Sequence, residues 1–499
     1  MIQKKNVLNT VPVICLGALL LGSAYGQLHT PMTPPPITAL ASDILPTTGN
    51  VRALDVVVDF ADAKYDTDRR LSDEEISSYL FGTDNTEFYP CESLTSYFDR
   101  ASYGSLHMTG NVFHYTAKGT IASYEKTNDG YETLVREVLS GLNDTIDYTD
   151  YDSDGDGYID ALCLSVPSGG NADFWYGCTA SWWTSTLPDL DGEKLNYYVI
   201  SDEQPYADTM DYYLGTLAHE YGHCMGLPDY YKYGLKENFE ATTGDAGIER
   251  MDEAAGDFCP LSKLLLGWYL PAEVQIYHPG SKKTDITLAD SSMQTDTPAA
   301  QTFTLTDDTQ EGSCLIIPRT DASSYFSEYM ILDYITPNGN YDGMFSSDGL
   351  RIYHVDATLA NDEYCAPYLT ADNYSPVYDS TNNGRRILRL VNDGNGFYRD
   401  GDVIDGTVTG LGWYDNNGQV TIDTGYTITV DSISADQKMY RNDFAGQLNN
   451  FFHQLQTRSR KFSPTPNKKP VPHVSFLTES KHERRAFYLT GCPPILFVA

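Results

Sequence analysis

The pattern of hydrophobic and polar positions divides the chain into two parts with different periods. In the first part, apolar and β-branched runs alternate with segments whose apolar residues recur at helical spacing. These patterns predict strands at 51–60, 106–115, 159–166 and 195–201, and helices at 72–81, 93–102, 131–142 and 211–225. Strands interleaved with helices indicate an α+β fold, and we expect residues 51–276 to form one such domain.

The second part of the chain, residues 277–440, shows short alternating segments separated by clusters of Asp, Asn, Gly and Ser. Such segments predict a β-rich module of the β-sandwich type. We place its strands at 301–305, 328–335, 349–355, 386–391 and 427–430. The sequence shows no internal repeat of fixed period.

The two ends of the chain differ from the rest. Lys4 and Lys5 followed by an apolar stretch at 11–21 predict a signal peptide at 1–26, with an uncleaved anchor helix as the alternative. Residues 27–50 are rich in Pro and Thr, which predicts a linker or short pro-segment, with order beginning at Val51. Residues 441–499 form an atypical basic tail that we expect to be disordered.

Composition supports a secreted, extracellular location. No segment after the signal is long and apolar enough to predict a transmembrane span in the mature chain. The formal net charge of -36 argues against a nucleic-acid partner and supplies carboxylates for calcium. Removal of Cys15 with the signal leaves eight of the nine cysteines. An even number in an exported protein permits disulfides, but their wide spacing fixes no pairing, and free buried thiols are the alternative.

The run HEYGHCMGLPD at 219–229 has the spacing of a catalytic zinc site. On a helix His219 and His223 lie one turn apart on one face, so both imidazoles can bind a single Zn²⁺. Glu220 follows His219 and can act as the base for a water bound to the metal. Gly226 can end the helix in a left-handed conformation, which would bring Asp229 back as a third ligand and leave the fourth position for water.

An acidic loop at 152–160 predicts a structural calcium site. Alternate carboxylates with a glycine at the sharp turn resemble an EF-hand loop, but Cys163 occupies the position where that loop needs Glu. The predicted ligands are Asp152, Asp154, Asp156, the Tyr158 carbonyl and Asp160. The alternative is an acidic, solvated turn without an ion.

Other residues receive more limited predictions. Met251 is predicted to form an apolar floor beneath the zinc ligands, with ordinary core packing as the alternative. Tyr230 and Tyr231 are equal candidates for stabilising an oxyanion. The strand at 195–201 is predicted to be the sheet edge along which an extended peptide binds, or else a strand paired only within its sheet. His107, His114 and His354 are predicted to be structural.

Several segments together resemble secreted zinc metalloproteases of the immune inhibitor A-like family, a metzincin-related group. The resemblance covers about 51–356 and is centred on AHEYGHCMGLPDYY at 218–231. Agreeing segments lie at 51–60, 93–110, 151–160, 261–268, 328–334 and 349–356. The segment ahead of Val51 is short for an inhibitory propeptide, and the tail does not match the family.

The resemblance implies a metzincin-like catalytic domain with endopeptidase action on extracellular proteins. It implies His219, His223 and Asp229 as zinc ligands, Glu220 as general base and Met251 as the residue of a Met-turn. A carboxylate in a loop can instead orient a ligand, so the role of Asp229 stays open.

We therefore predict a secreted zinc-dependent endopeptidase that hydrolyses extracellular proteins or peptides. One alternative is a catalytically inactive, calcium-stabilised adhesin or glycan-binding surface protein, against which the intact Glu220 argues. Another is a zinc hydrolase of non-peptide amides, because the motif selects a chemistry rather than a substrate. The sequence indicates neither the cleavage preference nor the oligomeric state.

Overall fold

The structure is a computed structural model, and it describes most of the chain between residues 44 and 431. The described residues are 44–66, 68–126, 129–172, 174–182, 186–231, 246–252, 254–277, 285–288, 300–310, 312–319, 325–360, 368–369, 385–391, 397–408 and 410–431. The predicted signal peptide, the predicted linker up to residue 43 and the predicted basic tail lie outside the described residues.

A five-stranded sheet forms the centre of the first part. Its strands are β1 (Gly49–Asp59), β2 (Leu106–Thr116), β3 (Ala161–Ser165), β4 (Cys178–Ser181) and β5 (Tyr197–Ser201). The strand order is β2-β1-β3-β5-β4, and every pairing is parallel except the antiparallel pairing of β4 with β5. A parallel strand covered on both faces is apolar throughout, and β1 is buried from Val51 to Asp59 apart from Arg52.

Helices cover both faces of this sheet. They are α1 (Asp73–Phe81), α2 (Leu94–Ala101), α3 (Ile121–Tyr124), α4 (Gly130–Leu142), α5 (Met210–Cys224) and α6 (Pro260–Leu266). α1, α2, α5 and α6 share one hydrophobic core on one face, and α3 and α4 contribute to a separate core on the other face. The structure thus confirms the four predicted helices and a mixed α/β architecture.

Local sequence explains where α1 begins. Ser72 accepts the backbone N–H of Glu75, and the Glu75 carboxylate accepts the backbone N–H of Ser72, so two unpaired amides of the first turn are satisfied. Two 3₁₀ turns, Tyr148–Tyr151 and Gly339–Tyr341, also lie among the described residues.

The sheet edge differs from the prediction. We expected the strand at 195–201 to be the edge, but β5 lies between β3 and β4. The edge next to the helix that carries the zinc motif is β4, which the sequence pattern did not reveal because Cys178–Ser181 is short. Among the described residues β4 pairs only with β5, so its outer side is the free edge.

The chain is also ordered earlier than predicted. β1 begins at Gly49 rather than Val51. Leu45 is buried and its backbone N–H donates to the carbonyl of Cys224 over 3.0 Å, while Trp268 Nε1 donates to the carbonyl of Thr47 over 2.7 Å. The last residues of the predicted linker therefore form part of the core and satisfy a carbonyl at the end of α5.

The described residues of the second part form two larger sheets and two short hairpins. Its strands are β6 (Val274–Ile276), β7 (Asp285–Leu288), β8 (Ala300–Phe303), β9 (Cys314–Pro318), β10 (Glu328–Ile335), β11 (Gly349–Asp356), β12 (Leu359–Ala360), β13 (Tyr368–Leu369), β14 (Leu388–Leu390), β15 (Val403–Ile404), β16 (Trp413–Tyr414), β17 (Val420–Ile422) and β18 (Thr427–Val430). The larger sheets have the orders β14-β11-β10-β9-β6 and β15-β18-β7-β8, and the hairpins are β12-β13 and β16-β17.

The five-stranded sheet of this second part has two buried faces. In β10, Tyr329 and Ile331 pack into the core that contains α5, whereas Met330 and Leu332 pack into a third core with Ile428 of β18. Alternate side chains of one strand point to opposite faces, so this sheet connects the first part of the chain to the outer sheet. β6, which we assigned to the first part by sequence, belongs to this second sheet.

A buried ion cluster joins the same two parts. Lys263 of α6 is fully buried, and its Nζ lies 2.9 Å from Asp257 Oδ2 and 3.1 Å from Asp308 Oδ2. The Tyr103 hydroxyl is 2.8 Å from the same Nζ. A buried ammonium requires such partners, because an unpaired charge in the interior is costly.

The six cysteines among the described residues are free thiols, and all except the half-buried Cys91 are buried. In the same residues no helix combines the length and apolar character that crossing a bilayer requires.

Helix α5 is attached to the sheet by a polar contact inside the core. The Tyr213 hydroxyl donates to Asp55 Oδ2 of β1 over 2.8 Å and also lies 2.5 Å from Ser165 Oγ of β3. Burial raises the pKa of the Asp55 carboxyl to about 7. The usual pKa of a carboxyl in an unfolded chain is about 4. At a pH between these two pKa values, Asp55 therefore takes up a proton when the protein folds.

Stability should consequently depend on pH through Asp55. Because its folded-state pKa is raised, its protonation stabilises the protein fully below about pH 4, and this contribution is lost as pH rises to about 7. Asp55→Asn lacks this titrating group. We therefore expect its free energy of unfolding to change over this pH range by on the order of 2–4 kcal/mol less than that of the wild type.

Urea unfolding of metal-free protein at several pH values measures this difference. The exposed Asp68→Asn serves as the control and should follow the wild type. Parallel pH curves for wild type and Asp55→Asn would contradict the assignment.

Candidate metal centre

Helix α5 holds the two histidines and the glutamate of the zinc motif in a desolvated position. His219, Glu220 and His223 are 6%, 4% and 3% exposed, respectively. The two imidazole rings lie 4.7 Å apart between centroids and are nearly perpendicular, at 88°. The one-turn spacing predicted from sequence thus places both rings beside one another.

One ring nitrogen of each histidine, Nδ1, is held by a backbone carbonyl. His219 Nδ1 lies 2.8 Å from the Arg250 carbonyl oxygen, and His223 Nδ1 lies 2.8 Å from that of Leu227. A carbonyl oxygen only accepts, so each Nδ1 carries the proton that it donates. In the neutral imidazole this leaves the Nε2 lone pair free to bind a metal.

The turn after α5 brings Asp229 to the same point. Gly226 has φ +96°, a left-handed conformation that side chains rarely adopt, and the Leu227 N–H donates to the Gly222 carbonyl over 3.0 Å. Asp229 Oδ1 then lies 3.0 Å from His219 Nε2 and 3.1 Å from His223 Nε2. The predicted reversal of the chain at Gly226 is confirmed.

The electrostatics of the three groups are strongly coupled. Burial alone lowers the pKa of both histidines, but the Asp229 carboxylate outweighs it, so their pKa values rise, that of His223 to about 9. Burial raises the pKa of Asp229, but the two histidines lower it well below the usual carboxyl range. Positive charge is therefore favoured at the point where these groups meet.

This donor set fits a divalent zinc ion. The ligand atoms of His219, His223 and Asp229 all lie within 4.8 Å of one another. Zinc forms bonds of about 2.0–2.2 Å to imidazole nitrogen and carboxylate oxygen, and catalytic sites commonly have three protein ligands. The sequence assignment of Asp229 as a ligand candidate therefore has the geometry that it requires.

Glu220 points toward the edge strand rather than into the core behind the helix. Thr179 Oγ1 of β4 lies 2.9 Å from Glu220 Oε2 and 2.9 Å from the Glu220 carbonyl oxygen. A Cβ placed on Gly177 would be 3.9 Å from Glu220 Oε1. The carboxylate therefore lies between the histidines of its own helix and the start of β4.

Met251 lies beneath α5 at the level of the histidines. A Cβ on Gly222 would come within 2.6 Å of Met251 Sδ and 3.2 Å of Phe258 Cε1. Met251 is fully buried, and its carbonyl accepts the Tyr230 N–H over 2.8 Å. Its position agrees with the predicted apolar floor, and the close approach explains why residue 222 has no side chain.

The residues on either side of Met251 were not predicted to have a role. Glu249 is buried and accepts the backbone N–H groups of Met251 and Cys259. Asp252 accepts the amides of Ala246 and Gly247 over 2.9 and 3.0 Å. Burial raises the pKa of Glu249. Together these carboxylates close the turn that carries Met251.

Arg250 is the residue that fixes this turn against the helix. Its buried guanidinium donates to Tyr97 Oη over 2.8 Å, to the Gly256 carbonyl over 2.8 Å and to the Ala254 carbonyl over 2.6 Å. Its own carbonyl accepts from His219 Nδ1. The sequence signal that could have identified Arg250 is its pairing with Glu249 in a segment expected to pack against α5. Charged side chains that become buried require such partners.

The structure separates the two tyrosine candidates for oxyanion stabilisation. Tyr230 is fully buried with its hydroxyl 3.1 Å from Ser262 Oγ, which places it in the core. Tyr231 is partly exposed, and its ring is stacked on His219 with centroids 6.3 Å apart. Of these two tyrosines, only Tyr231 lies beside the candidate metal ligands.

The three other histidines among the described residues have acidic neighbours away from this centre. His354 Nε2 lies 2.9 Å from Glu328, His114 Nε2 lies 3.1 Å from Asp59, and His107 Nδ1 lies 2.7 Å from Asp99. These contacts agree with the structural roles predicted for them.

The acidic loop brings together three of its predicted ligands. Carboxylate oxygens of Asp152, Asp154 and Asp156 lie within 4.8 Å of one another. Asp160 is turned inward, where it accepts the Ser153 N–H over 2.7 Å, and burial raises its pKa to about 7. Glu193, distant in sequence, has its pKa raised by burial and by Asp152, with which it shares a hydrogen bond.

Known proteins show little similarity to this chain. No protein-family model matches the chain, and no curated protein matches it. Solved structures similar to it include wild-type OgpA from Akkermansia muciniphila in two crystal forms, at 15% identity, TM-scores of 0.22 and 0.25, and 50% and 64% coverage of this chain. These matches cover 69% and 86% of the OgpA chains.

A third structure is catalytically inactive OgpA in complex with an O-glycopeptide, glycodrosocin, as substrate. It is 13% identical, with a TM-score of 0.24, and the match covers 64% of this chain and 84% of that chain. Similarity at this level does not support an argument about fold or activity. Membership of the immune inhibitor A-like family stays a prediction.

The contact between Gly222 and Met251 predicts the effect of a single methyl group. In Gly222→Ala, Met251 and Phe258 must shift, so we expect a loss of about 1–3 kcal/mol in the free energy of unfolding. Zinc held by His219, His223 and Asp229 would also be released at lower chelator concentration, because Met251 and Phe258 would shift beneath these residues.

Gly215→Ala in the same helix is the matched control. Its added Cβ would be 3.6 Å or more from other atoms, so the variant should be neutral or slightly more stable. Thermal unfolding and chelator titration measure both effects. Equal behaviour of the two variants would show that Met251 does not restrict residue 222.

Proposed function

We propose that this protein is an exported zinc-dependent endopeptidase that hydrolyses extracellular proteins or peptides. His219, His223 and Asp229 would hold the zinc ion, and Glu220 would be the general base. The observation that supports the proposal most strongly is the convergence of three buried ligand atoms within 4.8 Å. Both histidine Nδ1 atoms are engaged by carbonyls, which leaves Nε2 for the metal.

The chain's own groups suit hydrolysis of an amide. When bound, zinc polarises a carbonyl and lowers the pKa of water to about 7. Glu220 is positioned next to the ligands without being one of them, so its carboxylate can accept a proton from water and deliver it to the leaving amine. Tyr231, beside His219, is the remaining tyrosine candidate for stabilising the developing oxyanion.

The sheet edge favours an extended peptide as the substrate. The outer side of β4 is free among the described residues, and β4 contacts Glu220 through Thr179. A peptide that adds to such an edge gains main-chain hydrogen bonds along its length. A substrate bound there would have a peptide bond close to the proposed base.

The decisive experiment compares wild type with Glu220→Gln for casein cleavage and for bound zinc. We expect wild type to cleave and to be inhibited by a chelator. We expect Glu220→Gln to retain zinc but to lose cleavage by at least about a hundredfold, the scale of general-base contributions.

The other outcomes separate the alternatives. If both proteins hold zinc and neither cleaves casein after trimming of the N-terminal segment, the endopeptidase proposal is overturned. Hydrolysis of non-peptide amides or glycan binding would then be the function to test. If wild type holds no zinc, the ligand assignment is wrong.

We also propose that the acidic loop binds a structural calcium ion. The support is the approach of Asp152, Asp154 and Asp156, with Glu193 hydrogen-bonded to Asp152. Two carboxylates that meet in this way are stabilised by a cation, and Ca²⁺ prefers six to eight oxygen ligands. Glu193 would supply, from a distant segment, the acid that the loop itself lacks.

Calcium should therefore raise the melting temperature of metal-free protein. At a calcium concentration about a hundred times Kd, the free energy of unfolding should rise by about 2.7 kcal/mol. Asp154→Asn should lose most of this gain, whereas Asp68→Asn should retain it. A gain that persists in Asp154→Asn would place any calcium elsewhere in the molecule.

A further inference from the structure

We propose that Thr179 is a positioning residue that holds Glu220 in the orientation required of the base. This inference rests on the proposed endopeptidase function. Thr179 is the second residue of β4, the edge strand of the first sheet. It was not among the residues that the sequence identified, because it lies 41 positions from Glu220.

The strand directs the Thr179 side chain toward α5. Its neighbours Cys178 and Ala180 pack into the core on the opposite face of the sheet. Side chains alternate along a strand, so Thr179 points to the side where α5 lies. There its hydroxyl lies 2.9 Å from Glu220 Oε2 and 2.9 Å from the Glu220 carbonyl oxygen.

The single hydroxyl proton has a preferred acceptor. The Glu220 carbonyl lies inside α5, where a carbonyl already accepts the amide four residues further on. An ionised carboxylate only accepts, and hydrogen bonds to a charged acceptor are the stronger ones. The proton is therefore directed to Oε2.

This contact assigns different tasks to the two carboxylate oxygens. Oε2 is anchored to β4 through Thr179, and Oε1 faces the start of the same strand near Gly177. A carboxylate with one anchored oxygen is restricted in rotation, so the other oxygen stays in place for proton transfer. The strand with the free edge thereby also orients the base.

Two substitutions at residue 179 test the role of the hydroxyl. Thr179→Val keeps the shape and removes the donor, and we expect kcat to fall about ten- to a hundredfold with KM changed less than about twofold, as for a misplaced group. Thr179→Ser keeps the donor and should restore kcat to within a few-fold of wild type. Zinc content should be unchanged in both variants.

Thr109→Val is the matched control. Thr109 is also a strand threonine, and its hydroxyl donates to the Val51 carbonyl over 3.2 Å, away from the metal centre. It should retain wild-type kcat. If Thr179→Val also retains wild-type kcat, or if Thr179→Ser is as impaired as Thr179→Val, the positioning role is overturned.

A second readout does not depend on activity. In metal-free protein, urea unfolding of Thr179→Val, Glu220→Ala and the double variant forms a thermodynamic cycle, because each single change removes the contact. We expect non-additive shifts in the unfolding midpoint, since both changes affect one contact. Additive shifts would show that Thr179 bonds only to the backbone and would overturn the proposal.

The two proposals fail in distinguishable ways. An inactive wild type overturns the proposed function and, with it, the role assigned here to Thr179. Loss of activity in Glu220→Gln together with full activity in Thr179→Val overturns the role of Thr179 alone.

Discussion

The structure around helix α5 depends on the close approach of two imidazoles and one carboxylate at a position that is almost fully buried. Asp229 Oδ1 lies about equally far from His219 Nε2 and His223 Nε2, at 3.0 and 3.1 Å. Because these groups are buried, their interactions are little screened, and any misplacement would leave a polar group without its partner. The surrounding structure must therefore fix all three groups.

The histidines are held through their second ring nitrogens by carbonyls of two separate segments. One carbonyl belongs to Leu227 in the turn that Gly226 makes possible, and the other belongs to Arg250. The guanidinium of Arg250 is in turn fixed by Tyr97 of α2 and by carbonyls of its own loop. The position of the candidate ligand His219 thus depends on contacts that extend across the first core.

Support for α5 also comes from residues near the start of the described chain and from its second part. The Leu45 amide satisfies the Cys224 carbonyl where α5 ends, and Asp55 anchors Tyr213 near its start. The second sheet packs one face into the same core, and Lys263 connects Asp257 to Asp308 across the two parts. Removal of one partner from such a buried ion pair lowers the free energy of unfolding by about 3–5 kcal/mol. We therefore expect each part of the chain to be less stable without the other.

The sequence by itself determined the elements with strong periodicity and the residues with a fixed local spacing. The four longer helices and the main strands follow from patterns of 3.6 and 2 residues, and His219 with His223 follows from one helical turn. Gly226 and Asp229 were also predictable, because the reversal of the chain is a local consequence of a left-handed glycine.

Only the tertiary structure decided which strand forms the edge, that Leu45 belongs to the core, and that Thr179, Arg250 and Glu193 join the sites. These outcomes arise from contacts between residues far apart in sequence, and no local period encodes such contacts. A four-residue strand such as β4 is specified by its pairing with β5 rather than by its own pattern. The physical reason is that hydrogen bonding and burial act on distance in space, whereas periodicity reports only neighbours along the chain.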